Sequence, residues 1–259
     1  FAIIGAGPAG LAGARNLQRF EIPFQGFERH SDVGGLWDIN NPWSTIYDSA
    51  HLISSKRMTE FSEFPMPEEV ADYPNHRELR DYFSAFAEHF ELKKLYQFGK
   101  TVSKIEPAGS HWRLETSDGD AYEFAGIIIA NGTLSEPNIP EWHSSFGGEV
   151  FHSAKYKSAK IFDDKRVLVF GAGNSGCDIA VDAAHRASKT DISVRRGYHF
   201  VPKYVFGRPA DTMGGLFNLP PRIKQKIDTT LLKPFTGDAV KLGFPEPDHK
   251  LYESHPIVN

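Results

Sequence analysis

A chain of 259 residues, 40% apolar and 24% charged, has ordinary globular composition and enough length for two domains with cores of their own. No apolar run approaches the ~20 residues that span a bilayer, and a single cysteine excludes both a disulfide framework and a Cys-x-x-Cys redox pair, so disulfide reductases drop out. The net charge of -4 hides an imbalance: residues 1–145 carry 12 Lys and Arg against 21 Asp and Glu, and residues 146–259 carry 17 against 12. A basic second half suits an anionic ligand. Nucleic acid is not expected, since the basic residues form no stripe with interleaved aromatics.

In chain order, residues 1–4 read as a strand, 9–19 as a helix and 24–28 as a second strand. Between the first two lies Gly5-x-Gly7-x-x-Gly10. Strand, glycine turn and helix N-terminus in that order cradle a dinucleotide pyrophosphate, because the turn brings backbone close and the first helical N–H groups lack partners. Glu28 stands at the end of the second strand, where a carboxylate accepts from an adenosine ribose and repels a 2′-phosphate. This first loop is therefore expected to take FAD or NAD and to reject NADP.

Gly34-Gly-Leu-Trp37 is read either as backbone passing close to a flat ligand or as a plain turn with a packing Trp. Residues 38–74 look irregular. Asn75-His-Arg-Glu78 predicts a capping box, and Leu79, Phe83, Phe86 and Phe90 recur at helical spacing as a core stripe. Residues 101–106, 111–116 and 121–124 alternate like strands, with 117–120 as a hairpin turn. Residues 127–132 read as a buried parallel strand ending in a glycine turn.

The second half repeats the device. An apolar strand from Arg166 runs into Gly171-x-Gly173-x-x-Gly176, a helix follows, and a strand over 191–194 ends in Arg195-Arg196. Two guanidinium groups replace the acid of the first unit, and Arg recognises phosphate bidentately. This second loop is expected to prefer NADP. Cys177 is expected to be a small buried residue, and 222–232 a basic helix. The chain opens inside a strand without an initiator Met, and 246–259 do not complete an element, so a fragment of a longer chain is expected.

Between the two loops, 146–157 match the spacing Phe-x-Gly-x-x-x-His-x-x-x-Tyr-Lys at Phe146, Gly148, His152, Tyr156 and Lys157. With the glycine loops, Gly34-Gly-Leu-Trp37, Lys56-Arg-Met-Thr and 173–178, the chain resembles the class B flavin-containing monooxygenases along nearly its whole length. The resemblance implies an α/β flavoprotein with two Rossmann-like dinucleotide-binding domains: FAD in 1–145, completed by residues beyond Asn259, and NADPH in 146–259, with a hinge near 134–157. It implies hydride transfer from NADPH to FAD, addition of O2 to give a C4a-hydroperoxyflavin, and oxygenation of a small amine or sulfide.

By the same resemblance, Gly5, Gly7, Pro8, Ala9 and Gly10 hold the FAD pyrophosphate and Glu28 its ribose, with Leu36 and Trp37 near the flavin. Gly171, Gly173 and Gly176 shape the second loop. Asn174 and Ser175 meet the NADPH pyrophosphate, and Arg195 and Arg196 its 2′-phosphate. No acid–base residue, covalent nucleophile or metal ligand is nominated, because the flavin carries the chemistry; His152 is expected to hydrogen-bond within the linker.

Two features depart from that family. Ile53 stands where many members carry an asparagine that protects the flavin intermediate, with His51 and Ser54 as candidate substitutes. A later Ala-Thr-Gly strand is absent. Related Baeyer–Villiger enzymes carry Trp in place of Tyr156, which favours nitrogen or sulfur oxygenation. A carbon-oxidising relative and a non-catalytic dinucleotide-binding or redox-sensing module remain as alternatives. With no targeting segment visible, a cytoplasmic location is expected; the oligomeric state, homo-oligomer included, stays open.

Overall fold

The computed structural model describes residues 1–213, 235–251 and 253–258. Its contacts gather the chain into two units, one of residues 1–48 and 75–157, the other of 49–74 and 158–259. The predicted basic helix 222–232 lies outside the described residues.

In the first unit, β1 (Ala2–Ile4) runs through the glycine turn into α1 (Pro8–Arg19) and returns as β2 (Gln25–Glu28). Pro8 opens the helix, where its missing N–H costs nothing. The excursion after residue 48 carries one helical turn, α2 (Lys56–Thr59), and belongs by its contacts to the second unit. The chain re-enters the first unit at α3 (His76–His89).

The predicted capping box is present: Asn75 Oδ1 accepts from the N–H groups of Arg77 and Glu78, and Glu78 reaches back to the Asn75 N–H at 2.9 Å. Such a cap contributes about 1 kcal/mol. Leu79, Phe83 and Phe86 are buried as the stripe requires, each contributing about 1.5–3 kcal/mol relative to exposure.

Next come β3 (Tyr96–Phe98) and an antiparallel meander, β4 (Val102–Ala108), β5 (His111–Thr116) and β6 (Ala121–Phe124), and then β7 (Ile127–Ile129). The main sheet is parallel in the order β3-β2-β1-β7. Tyr122 and Phe124 of the meander meet Phe27 edge to face, with ring centroids 5.1 and 6.0 Å away. Strand 127–132 is parallel as predicted but shorter and not buried, and Ile129 is 65% exposed. Among the described residues β7 is the last strand of its sheet, so an apolar run that looks central lies at an edge.

The linker motif is a clip within this unit. Tyr156 is fully buried with its ring 5.4 Å from that of Tyr47. Lys157 Nζ donates to the carbonyls of Ser44 (2.6 Å) and Ile46 (3.0 Å), and the Asp48 N–H donates back to the Lys157 carbonyl. His152 Nδ1 accepts from the Ala154 N–H, capping a 3-10 turn.

In the second unit, β8 (Arg166–Phe170), α4 (Asn174–Ala184) and β9 (Lys189–Ser193) form a parallel strand–helix–strand unit. The short strands β10 (Phe200–Val201), β11 (Tyr204–Val205) and β12 (Arg208–Pro209) follow, β11 and β12 pairing with each other. The tail returns as β13 (Ile257–Val258), parallel to β10. The excursion is tied down by hydrogen bonds from the Ser49 hydroxyl to Asp182 (2.5 Å), the Ser55 N–H to Asp211 (2.6 Å) and the Tyr73 hydroxyl to the Lys203 carbonyl (2.5 Å). Among the described residues no helix is long and apolar enough to cross a membrane.

Candidate dinucleotide-binding sites

Each unit carries one glycine loop, and the two are built alike. In the first, Gly5 has φ +102° and donates its N–H to the Phe27 carbonyl at 2.8 Å, locking the turn to β2. A Cβ on Gly10 would overlap the Gly5 carbonyl oxygen, so α1 can lie this close only with glycine there. Gly7 is the N-cap and no side chain caps the helix. The first-turn donors, those of Ala9 and Gly10 among them, therefore have no side-chain acceptor and suit an anion.

Glu28 ends β2 and is 6% exposed. Its Oε2 accepts from the Ala6 N–H at 2.6 Å and its Oε1 from the His30 N–H at 2.8 Å. The carboxylate thus splints the glycine loop to the strand end, and an ionised carboxylate keeps further lone pairs for a ribose hydroxyl. Beside it, burial and then the Glu28 charge push the Tyr96 phenol well above its ordinary range. Tyr96 was not singled out by the sequence. Only the pairing of β2 with β3 puts it next to Gly26.

Gly34 and Gly35, at φ +108° and +56°, pass over the same loop. The Gly34 N–H donates to the Ala6 carbonyl at 3.0 Å, and a Cβ on Gly35 would stand 2.9 Å from the Gly7 Cα. The paired glycines are thus required by backbone packed on backbone. The 3-10 turn Gly35–Trp37 that follows places Leu36 and Trp37 beside the loop, pinned where the Ser44 hydroxyl donates to the Leu36 carbonyl at 2.5 Å.

In the second unit Gly171 has φ +95°, a Cβ on Gly176 would overlap the Gly171 carbonyl oxygen, and Gly173 is an N-cap without a side-chain acceptor. The Gly171 N–H donates to the Ser193 carbonyl at 2.9 Å, which aligns the ends of β8 and β9. The loop, with Asn174 and Ser175 on the first turn of α4, therefore shares an edge with Arg195 and Arg196 just past β9. This is the carboxyl edge where parallel sheets bind nucleotides. Both arginines are exposed. Arg196 Nη2 donates to the Ser254 hydroxyl at 3.2 Å, and Asn174 Oδ1 accepts from the Val258 N–H at 3.0 Å. Nothing in the sequence marked Ser254 or Val258.

Cys177 is half-buried, and burial, with Asp178 beside it, raises its thiol pKa. Ile53 is exposed; His51 contacts the Lys203 ammonium, and the Ser54 hydroxyl pairs with that of Thr59 at 2.8 Å.

Glycine-lined cradles that a Cβ would fill, set before uncapped helix ends, fit dinucleotides in both units. The class so defined is an α/β flavoprotein fold with Rossmann-like dinucleotide-binding sheets. It is shared with the solved S-allyl-L-cysteine S-oxygenase from Allium sativum, at a TM-score of 0.68 and 28% identity over 75% of this chain and 50% of that one. Residues 1–233 match the flavin-binding monooxygenase-like family, and the chain belongs to it. Similar proteins include the probable indole-3-pyruvate monooxygenase YUCCA9 of Arabidopsis thaliana, 34% identical over 80% of this chain and 49% of its own length. Flavin-containing monooxygenase 1 of Homo sapiens is 35% identical over 76% of this chain and 40% of its own length. The chain spans about half the length of the curated relatives it matches.

Proposed function

We propose that the first unit binds FAD and the second NADPH, and that the chain serves a flavin monooxygenase using O2 to oxygenate nitrogen or sulfur of small nucleophilic molecules. The observation that carries this is the contrast between two like loops. One ends in a buried carboxylate, Glu28, which accepts ribose hydroxyls and repels a 2′-phosphate. The other ends in two exposed guanidinium groups, Arg195 and Arg196, which attract one.

The division of labour follows the same contrast, with FAD assigned to the unit of 1–48 and 75–157 and NADPH to that of 49–74 and 158–259. Gly5, Gly7, Pro8, Ala9 and Gly10 lie against the FAD pyrophosphate, with Leu36 and Trp37 toward the flavin. Gly171, Gly173, Asn174, Ser175 and Gly176 take the NADPH pyrophosphate. Bound there, FAD would supply the redox chemistry that links NADPH, O2 and the substrate. The protein's own residues bind, orient and shield these groups, so no side chain is assigned a proton or a covalent bond.

Sulfur as the acceptor is favoured by the likeness to the S-oxygenase. A second reading, oxidation at carbon of a 2-oxo acid, takes its support from the likeness to the probable indole-3-pyruvate monooxygenase. Purified chain supplied with FAD is to be titrated with NADPH, first without air and then with it, while a sulfide, a tertiary amine and a 2-oxo acid are assayed side by side. Flavin bleaching by NADPH, recovery in air and sulfoxide or N-oxide formation are expected. Tight nucleotide binding without turnover would instead leave a binding or sensing module.

A further inference from the structure

Resting on the assignment of the second loop to NADPH, we propose that residues 245–251 and 253–258 form a positioning strap for that site, aiming the Asn174 amide and the Arg196 guanidinium at the phosphates. The segment touches the site at both ends. At one end, a Cβ on Gly197 would overlap backbone atoms of Pro245, Glu246 and Pro247, so the strap lies directly on the residue after Arg196. There the Ser254 hydroxyl accepts from Arg196 Nη2 at 3.2 Å, while the guanidinium rests over the Tyr198 ring at 5.6 Å.

In the middle, His199 Nε2 meets the His249 carbonyl at 2.7 Å, and the Ile257 N–H donates to the His199 carbonyl at 2.8 Å. At the other end the Val258 N–H donates to Asn174 Oδ1 at 3.0 Å, across 84 residues of sequence.

The chemistry of these contacts sets which atoms face an anion. A backbone N–H only donates, so it must meet the oxygen of the Asn174 amide, and the NH2 becomes the end available on the first turn of α4. The Ser254 hydroxyl occupies one guanidinium N–H of five and restrains the fork, leaving the others for a phosphate.

The two contacts predict different losses. With FAD in excess, the chain is titrated calorimetrically with NADP+ and with NAD+. Ser254→Ala is expected to weaken NADP+ about fivefold and leave NAD+ unchanged, and Ser254→Thr to restore the wild-type ratio. Val258→Pro removes the N–H that faces Asn174 and leaves the ladder donor, which belongs to Ile257. It is expected to weaken both nucleotides by the same factor, because both carry the pyrophosphate. Should that variant fail to fold, Asn174→Ala, which removes both the acceptor for Val258 and the donor without adding a charge, is to show the shared loss. An unaltered NADP+ to NAD+ ratio in Ser254→Ala overturns the strap. A wild-type chain without preference for NADP+ overturns the assignment of the site itself, and does so before any substitution is made.

Discussion

The two glycine loops share one backbone and differ in what surrounds it. Around the first, Glu28 is buried and already bonded to two backbone N–H groups, and the Gly34–Gly35 pair presses on the turn. Around the second, Arg195 and Arg196 are exposed, and Arg196 is steadied by one hydroxyl from the chain's far end. The first selector is therefore part of the fold, and the second is an attachment to it. Strand, turn and helix end recognise a pyrophosphate without regard to which dinucleotide carries it. Discrimination rests on the charge placed at the end of the next strand.

The largest effect is expected from a single added methyl group. Gly10→Ala is expected to lower FAD affinity by about 100-fold or more by driving α1 off the turn, with NADP+ binding retained. Gly176→Ala is expected to do the reverse. Absorbance titration with FAD and calorimetry with NADP+ read the two separately, and equal loss of both nucleotides in either variant would end the one-loop, one-nucleotide assignment.

A smaller effect is expected at the selectors. Replacing Arg195 and Arg196 together by Ala should weaken NADPH by about 100-fold, two charge-assisted hydrogen bonds' worth, with NADH little changed. Because both side chains are exposed, the melting temperature should hold. Glu28→Gln should behave oppositely in stability. One of the two backbone N–H donors would then face an NH2 group, costing about 1–3 kcal/mol of stability by chemical denaturation. A Glu28→Gln chain as stable as the parent would show that the carboxylate is not part of the fold.

The smallest effect concerns Cys177, the residue after Gly176. With its thiol pushed up by burial and Asp178, it should alkylate more slowly at pH 8 than a free cysteine, and speed up as pH rises. A rate equal to that of free cysteine would mean that the start of α4 opens enough to expose the thiol fully.

Much of this was legible along the chain because it is local. The glycine triplets, the Asn75–Glu78 box and the 117–120 hairpin each depend on residues a few positions apart, and all stand where the pattern placed them. The linker motif was legible as a motif and silent about its work. That Tyr156 and Lys157 clip the loop at 44–48 depends on more than 100 intervening residues. Strand β3 escaped notice, being three residues that only pairing with β2 makes a strand. Ile127–Ile129 misled, because an apolar run tells nothing of its place in a sheet.

The repeated strand–turn–helix units and the opposite charges that follow them are written along the chain, since hydrogen bonding and sterics within a few residues dictate them. The long-range contacts settled that Glu28 is spent partly on its own loop, that 49–74 join the second unit, and that Ser254 and Val258 reach Arg196 and Asn174. The reason is physical: a donor finds a distant acceptor only after the chain has closed the loop between them, and no local pattern records which closure wins.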